Sequence, residues 1–304
     1  PNTALDLVLF IDHFSFGETV RASETAHGMG GKGAVTSWVL GQLGVPNLAT
    51  GLAAGETGRR MEATLRAAGV ETDFIWVAGE TRTNYVLARQ ADGVQGTICV
   101  AGLESTSADG ERLADHVRAL LPRADFLLCG GTLPQGLPAD WYTPLIREAK
   151  ARGVPTLLDA AEPFLSANLP ALPDMIKPNA AEASALLNCV VDSMDVALDA
   201  VCALRERGIA APVITLGEQG AVAANDEGVF YVPPLDVRVR NTAGAGDGFN
   251  AGLLLARQRG AGWQEALRQA AAVAASILLT PATGACRPED VRALYSRARV
   301  KRLF

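Results

Sequence analysis

Strand-like apolar runs alternate with helical stretches through the middle of this chain. Residues 125–130, 154–159, 174–177 and 212–216 read as buried strands. Residues 139–152, 182–187 and 196–207 read as helices, and Gly69, Gly153 and Gly208 fall where C-cap glycines belong. This alternation predicts an α/β fold with a mostly parallel sheet covered by helices on both faces. Two regions break the rhythm, 7–25 and 73–102, which contain few helix signals. Inside the second, 74–77, 85–89 and 97–100 look like short strands, with Asp92-Gly93 as a hairpin turn. A small sheet projecting from the body accounts for them; extra strands of the main sheet are the alternative. No tandem repeat or low-complexity linker appears, so the chain reads as a single α/β domain over 1–304.

Composition narrows the partners. At 49% hydrophobic and 20% charged, the 304 residues can bury one large core. Twenty-seven basic and 33 acidic residues leave a net charge of −6, which argues against a nucleic-acid or anionic-membrane partner. No apolar run reaches membrane-spanning length, and no signal-peptide pattern opens the sequence. Five scattered cysteines (Cys99, Cys129, Cys189, Cys202, Cys286) suit a reducing cytoplasm, and neither a disulfide framework nor a zinc site is indicated. A cytoplasmic location is expected.

The densest chemical signal lies at 241–252, where Thr242-Ala243-Gly244-Ala245-Gly246-Asp247-Gly248 precedes a helical run at 249–259. Bare N–H groups at a helix start, aided by the helix dipole, make a site for an anion such as phosphate. Asp247 is an acid where an anion should sit. It reads either as a first-turn helix charge or as a base that takes a proton from an alcohol attacking a phosphate. A second glycine cluster, Gly28-Met29-Gly30-Gly31-Lys32-Gly33, satisfies G-x-G-x-x-G. That fingerprint needs a strand just before it, and the polar stretch 21–27 is weakly strand-forming, so a nicotinamide oxidoreductase is a poor reading. A phosphate loop of the Walker type fails as well, because Gly33 stands where Ser or Thr should follow the lysine. Lys32 is then either a solvated loop charge or an ammonium aimed at a substrate.

Taken together, these segments resemble the PfkB (ribokinase-like) carbohydrate kinases. Gly244-Ala245-Gly246-Asp247 matches the core of the family's second signature, and Gly30-Gly31-Lys32-Gly33-Ala34 its first. Asp6, Gly17-Glu18, Arg21, Thr81-Arg82-Thr83-Asn84, Gly130-Gly131-Thr132 and Lys177-Pro178-Asn179-Ala180-Ala181-Glu182 look like the 1-phosphofructokinase and tagatose-6-phosphate kinase branch. The resemblance implies a ribokinase-like three-layer fold, with segments at about 7–25 and 73–102 forming a small β-sheet lid over the sugar, often a dimer contact. It implies a sugar or sugar-phosphate substrate, ATP and magnesium. It assigns Asp247 as catalytic base, with Gly244, Ala245 and Gly246 stabilising the transferred group. Asp6, Gly31, Lys32, Gly33 and Asn84 then face the sugar, and Arg21, Lys32 and Arg82 clamp a substrate phosphate. Thr215, Gly217 and Gly220, in the turn Thr215-Leu216-Gly217-Glu218-Gln219-Gly220, match the nucleotide loop, closed by Thr242, Gly244 and Gly246; a plain hairpin is the alternative.

Asn179 and Glu182 have two readings, a capping-box pair opening a helix or holders of magnesium. The small-residue stretch 266–276 suits either the adenine or helix packing. Val35 stands where the family has Asn, and Ile98-Cys99-Val100 where the branch has a Glu-Thr pair. The expected function is therefore an ATP-dependent kinase for a hydroxyl of a sugar phosphate, of fructose-1-phosphate or tagatose-6-phosphate type. The alternatives are a kinase of free tagatose or fructose, or an inactive sugar-binding regulator. A homodimer through the lid is expected.

Overall fold

A strand that is apolar at consecutive positions has to be covered on both faces, because successive side chains point to opposite sides of the sheet. The computed structural model, which describes residues 1–89, 91 and 94–304, meets that demand with a three-layer body. The chain opens with β1 (Ala4–Phe10), β2 (Glu24–Gly30) and α1 (Lys32–Gln42). Next come β3 (Leu48–Ala49), β4 (Leu52–Ala53), α2 (Gly55–Ala67), β5 (Glu71–Thr72) and β6 (Ile75–Trp76). β7 (Arg82–Ala88), β8 (Gln95–Ile98) and α3 (Ser107–Leu120) follow. Strands and helices then alternate through β9 (Leu127–Gly131), α4 (Thr143–Ala151), β10 (Thr156–Ala160), α5 (Phe164–Asn168), β11 (Met175–Ile176), α6 (Ala180–Leu187), α7 (Met194–Glu206) and β12 (Ala211–Thr215). The last part holds β13 (Ala221–Asn225), β14 (Gly228–Val232), α8 (Ala245–Gln258), α9 (Trp263–Leu278), α10 (Pro288–Arg297) and β15 (Lys301–Arg302).

The main sheet runs β15-β14-β13-β12-β11-β10-β9. It is parallel from β9 to β12 and antiparallel from β12 to β15. Side-chain parity divides the core. Leu158, Ile176, Ile214 and Val222 pack on one face with Leu113 of α3, Leu145 of α4 and Val201 of α7. Their neighbours Leu157, Met175, Val213 and Ala223 pack on the other with Phe249 and Leu253 of α8 and Leu267 of α9. The small residues at 266–276 serve this packing: a Cβ on Gly252 would lie 2.7 Å from the Cα of Ala270, so the glycine lets α9 press against α8.

A separate four-stranded sheet has the order β2-β1-β7-β8, with β1 antiparallel to β2 and parallel to β7. The structure corrects two expectations here. Residues 74–77 do not join this sheet: Ile75 and Val77 pack against the main core, and β6 pairs in parallel with β4 instead. Burial of those two side chains decides it. Secondly, a strand does precede Gly28. β2 is an antiparallel edge strand, half exposed, and so carries polar residues rather than an apolar run. Gly28 and Gly30 lie within that strand, not in a turn between strand and helix, and this is the sounder reason to set aside the dinucleotide fingerprint. The hairpin turn expected at Asp92-Gly93 lies outside the described residues.

Candidate active site

The glycine-rich segment folds one turn earlier than its sequence suggests. Gly244, at φ 86°, is the N-cap of α8, and Ala245, Gly246 and Asp247 form its first turn. Ala245 donates its N–H to Thr242 at 3.3 Å, so the N–H groups that a helix start leaves over are those of Gly246 and Asp247. The Asp247 side chain is half-buried among charged neighbours. Burial is the largest cause that pushes its carboxyl up to about 8, and the negative charges of Asp159 and Asp6 add to it; Lys177 and Lys32 oppose the rise.

Asp6 comes from β1, opposite Asn84 of β7 and Gly28 of β2. Its carboxylate lies over β2 where a Cβ on Gly30 would collide with it, which explains the glycine in a strand. Asn84 donates to Asp6 Oδ1 at 3.0 Å. Burial holds the Asp6 carboxyl above its ordinary value, against hydrogen bonds and the charge of Arg82. Arg82 begins β7. Its guanidinium reaches the carbonyl of Val100 at 3.3 Å and Thr132 Oγ1 at 3.4 Å, and no carboxylate among the described residues pairs with it. Arg82 Nε and Asn84 Oδ1 are buried without a partner. Polar atoms left this way beside Asp6 make a pocket ready for a polar ligand. Gly31, at φ 82°, passes close to the backbone of Asn2 and Ala4 at the edge of this pocket, followed by Gly33 in the first turn of α1. Arg21 stands exposed on the connection between β1 and β2.

Lys32 is placed differently from the phosphate clamp expected of it. Its Nζ donates to Asp159 Oδ1 at 2.6 Å and to Glu182 Oε1 at 2.8 Å. Burial would lower its pKa, but the two carboxylates outweigh that and hold it above the ordinary lysine value. The three expected clamp cations are thus not left equally available, because two acids already engage one of them. Val35, which stands where the family has Asn, is buried in the core and packs against Gly284.

Asn179 and Glu182 form a reciprocal capping box at the start of α6. Asn179 Oδ1 accepts from the N–H of Glu182 at 2.9 Å, and Glu182 Oε2 from the N–H of Asn179 at 3.0 Å. Thr215, at the end of β12, donates its N–H to Pro178 and forms a bridge with Asn179, so the turn through Gly217 and Gly220 begins beside this helix start. Thr242 receives a contact from the smaller sheet, its N–H donating to Gln95 Oε1 at 3.0 Å.

Sequence reasoning missed Asp159, Lys177 and Asn250. Asp159, at the end of β10, accepts from Lys177 Nζ at 2.9 Å and Asn250 Nδ2 at 2.6 Å in addition to Lys32. The available signal was a carboxylate near the end of a strand that carries no other charge and a lysine after another: buried charges persist only when paired. A cavity of about 610 Å³ runs behind Lys32 between β9 and β3; neither Asp247 nor Asp6 lines it.

Residues 2–290 match the model of the pfkB family of carbohydrate kinases. The chain is similar to phosphofructokinase-2 from Escherichia coli solved with substrates and products, at 25% identity and a TM-score of 0.89, covering 97% of this chain and 96% of that one. It is also similar to a possible 1-phosphofructokinase from Thermotoga maritima, at 25% identity and TM-score 0.89, over 100% and 98% of the two chains. A carbohydrate kinase from Agrobacterium tumefaciens matches at 26% identity and TM-score 0.75, over 99% and 97%. With its α/β sheet, its glycine-rich helix start and its family match over nearly the whole length, the chain belongs to the pfkB carbohydrate kinases and is an ATP-using phosphotransferase with an alcohol as acceptor.

Proposed function

We propose that the protein phosphorylates a hydroxyl of a sugar phosphate of fructose-1-phosphate or tagatose-6-phosphate type, with Asp247 as general base. The observation that carries this reading is Asp247 at the bare start of α8, its proton affinity raised by burial and by the charges of Asp159 and Asp6, with the Asp6–Asn84 pair and the unpartnered Arg82 Nε and Asn84 Oδ1 close by. Asp6 accepts hydrogen bonds from sugar hydroxyls and holds one of them toward Asp247. Asp247 takes the hydroxyl proton as that oxygen attacks the terminal phosphorus. The N–H groups of Gly246 and Asp247, with Gly244 turning the chain, favour the charge that develops on the phosphoryl group. The first turn of α8, Thr242 and the turn of Thr215, Gly217 and Gly220 would hold the triphosphate.

Magnesium fits the residues present in a sparse form. Glu182 offers one carboxylate, shared at present with Lys32, and Asn179 an amide oxygen already engaged in its capping box. Magnesium takes one or two carboxylates plus water and phosphate oxygens. Glu182 would hold it with Asn179 alongside. When bound, it neutralises charge on the phosphates.

Preference for an acceptor that already carries a phosphate rests on Arg82, a half-buried guanidinium without a carboxylate. A phosphomonoester would give its fork two oxygens to hold. Wild-type enzyme is expected to show at least tenfold higher kcat/KM for a sugar phosphate than for the matching free sugar, about 1.4 kcal/mol. Arg82→Ala should remove most of that preference while leaving the free-sugar rate nearly unchanged. Equal or better wild-type kcat/KM for free sugars would promote the free-sugar kinase in its place.

The smaller sheet is the lid in this proposal, and a second copy covers its outer face. Across that face His27, Leu7, Tyr85 and Ile98 stand in one row of the register, and Tyr85 and Ile98 are exposed. An apolar row on a two-sided sheet invites a partner. Light scattering is expected to give a homodimer, and Ile98→Asp with Tyr85→Arg a monomer. A monomeric wild-type protein at assay concentration would count against the lid interface.

A further inference from the structure

One buried hydroxyl takes no part in the chemistry described above. Thr283 stands on the connection between α9 and α10, 3% exposed, and its Oγ1 is buried without a hydrogen-bond partner among the described residues. A hydroxyl taken from water and left unbonded costs stability, so its presence needs a reason. The connection itself is held in place. Pro281 O accepts from Asn241 Nδ2 at 3.1 Å, Gly284 O from Gln42 Nε2 at 3.1 Å, and Thr283 O from the N–H of Met29 at 3.3 Å. Register sets what the side chain faces. Gly28, Asp6 and Asn84 are direct partners on β2, β1 and β7 and form one row across one face of the smaller sheet. Asn84 donates to Asp6 from the β7 side. On the β2 side Gly28 leaves room that Thr283 fills: a Cβ there would lie 2.6 Å from Thr283 N and 2.9 Å from its Cβ. The Thr283 hydroxyl acts on the Asp6 carboxyl as the Asn84 amide does, holding it down against burial, yet it stops short of hydrogen-bond geometry. Its methyl packs toward α8, with Cγ2 3.3 Å from where a Cβ on the N-cap Gly244 would lie.

We propose that Thr283 is a positioning residue for the acceptor sugar: its hydroxyl donates to the Asp6 carboxylate when the acceptor binds and, with Asn84, fixes the direction in which Asp6 holds the sugar. The inference rests on the reading of Asp6 as the group that accepts from sugar hydroxyls. An ionised carboxylate offers about four lone-pair directions. Asn84 takes one on Oδ1, and Thr283 takes one from the opposite end of the row, which leaves the others for the sugar. A bound sugar displaces water from Asp6, and in drier surroundings a donor to a charged oxygen is worth more than before. That difference makes the contact favour the complex over the free protein. Thr283 touches no substrate and acts through Asp6. Because its connection also lies against the start of α8, the same residue ties the carboxylate of the smaller sheet to the helix that carries Asp247.

The test uses four variants of the whole protein: Thr283→Val, Thr283→Ser, Thr283→Ala and Asp6→Asn. The acceptor is whichever of fructose-1-phosphate, tagatose-6-phosphate, fructose and tagatose the wild type turns over best. Valine keeps the shape of the side chain and its methyl against Gly244, and removes only the hydroxyl. Thr283→Val is expected to raise acceptor KM about 10- to 100-fold, the worth of a hydrogen bond to a charged group, with kcat within about threefold of wild type. Calorimetric titration should show ATP affinity unchanged. Thr283→Ser, which keeps the hydroxyl, should hold KM within about threefold of wild type. The sign of the stability change is the second readout. Without acceptor, Thr283→Val should melt at or above wild type, because a buried hydroxyl with no partner gives way to a methyl. At one fixed acceptor concentration its gain in melting temperature should be smaller than that of wild type. A purely structural hydroxyl gives the reverse, a lower melting temperature and an unmoved KM. A KM raised less than about tenfold in folded Thr283→Val, or an equal rise in Thr283→Ser, overturns the inference. If Thr283→Val does not fold, Thr283→Ala is read against Thr283→Ser by the same criterion. A raised KM in Asp6→Asn beside an unmoved one in Thr283→Val defeats the role of Thr283 alone, whereas a wild-type KM in Asp6→Asn defeats the reading beneath it.

Discussion

Asp247→Asn is expected to lower kcat by two to four powers of ten, about 3 to 5 kcal/mol in activation free energy, while ATP and the sugar still bind. Asparagine keeps the size of the side chain and its place in the first turn of α8, but its amide cannot take the hydroxyl proton. The change also has a structural control with a definite sign. The folded carboxyl titrates near 8 and an unfolded one near 3.8, so the native state binds the extra proton between those values and wild-type stability falls as pH rises from 3.8 to 8. The neutral variant escapes that loss. At pH 9 Asp247→Asn should therefore melt no lower than wild type, so lost activity there cannot be ascribed to unfolding. Turnover within tenfold of wild type in such a folded variant would remove Asp247 from the base role.

The second large effect is the pH profile. Proton abstraction needs the ionised form, and burial with Asp159 and Asp6 nearby pushes the Asp247 carboxyl up to about 8. A group at that value is about 90% ionised at pH 9 and about 1% at pH 6, and kcat/KM reports the ionisation of the free enzyme. kcat/KM should therefore fall nearly a hundredfold from pH 9 to pH 6, with slope one on the acid side. An ordinary carboxylate would leave the profile flat over this range. Sugar-phosphate acceptors titrate near 6 themselves, so a free sugar run in parallel separates the enzyme's limb from the substrate's. A flat free-sugar profile would show that the lysines, not the burial and the acids, govern Asp247.

The alternation of apolar runs missed the short α5 but located β9, β10, β11 and β12 and the helices α4, α6 and α7 to within a few residues. It did so because strands buried on both faces have no polar positions to blur the signal. β2 escaped notice for the opposite reason. As a half-exposed edge strand it is built from Glu24, Thr25 and His27, and its place is fixed by pairing with β1 rather than by its own apolar content. The 74–77 segment went to the wrong sheet because two apolar residues in a strand do not say which core they enter.

The glycine-rich segments carry their own meaning in sequence. Gly244-Ala245-Gly246-Asp247 states that a helix start is kept bare and that an acid stands in it, whatever surrounds them. Membership in a kinase family, the α/β class and an acid-bearing anion site were thus determined locally, by residue type and order. Which charges meet was decided only by the tertiary structure. Lys32 is read from sequence as a free ammonium among glycines; folding brings it to Asp159, 127 residues away, and to Glu182, 150 residues away. Asp159 gathers Lys32, Lys177 and Asn250 from three different elements around one carboxylate. No local pattern encodes that meeting, because charge pairing depends on distance in space, and it is the parallel sheet, laying the ends of β10 and β11 side by side under α8, that sets the distance.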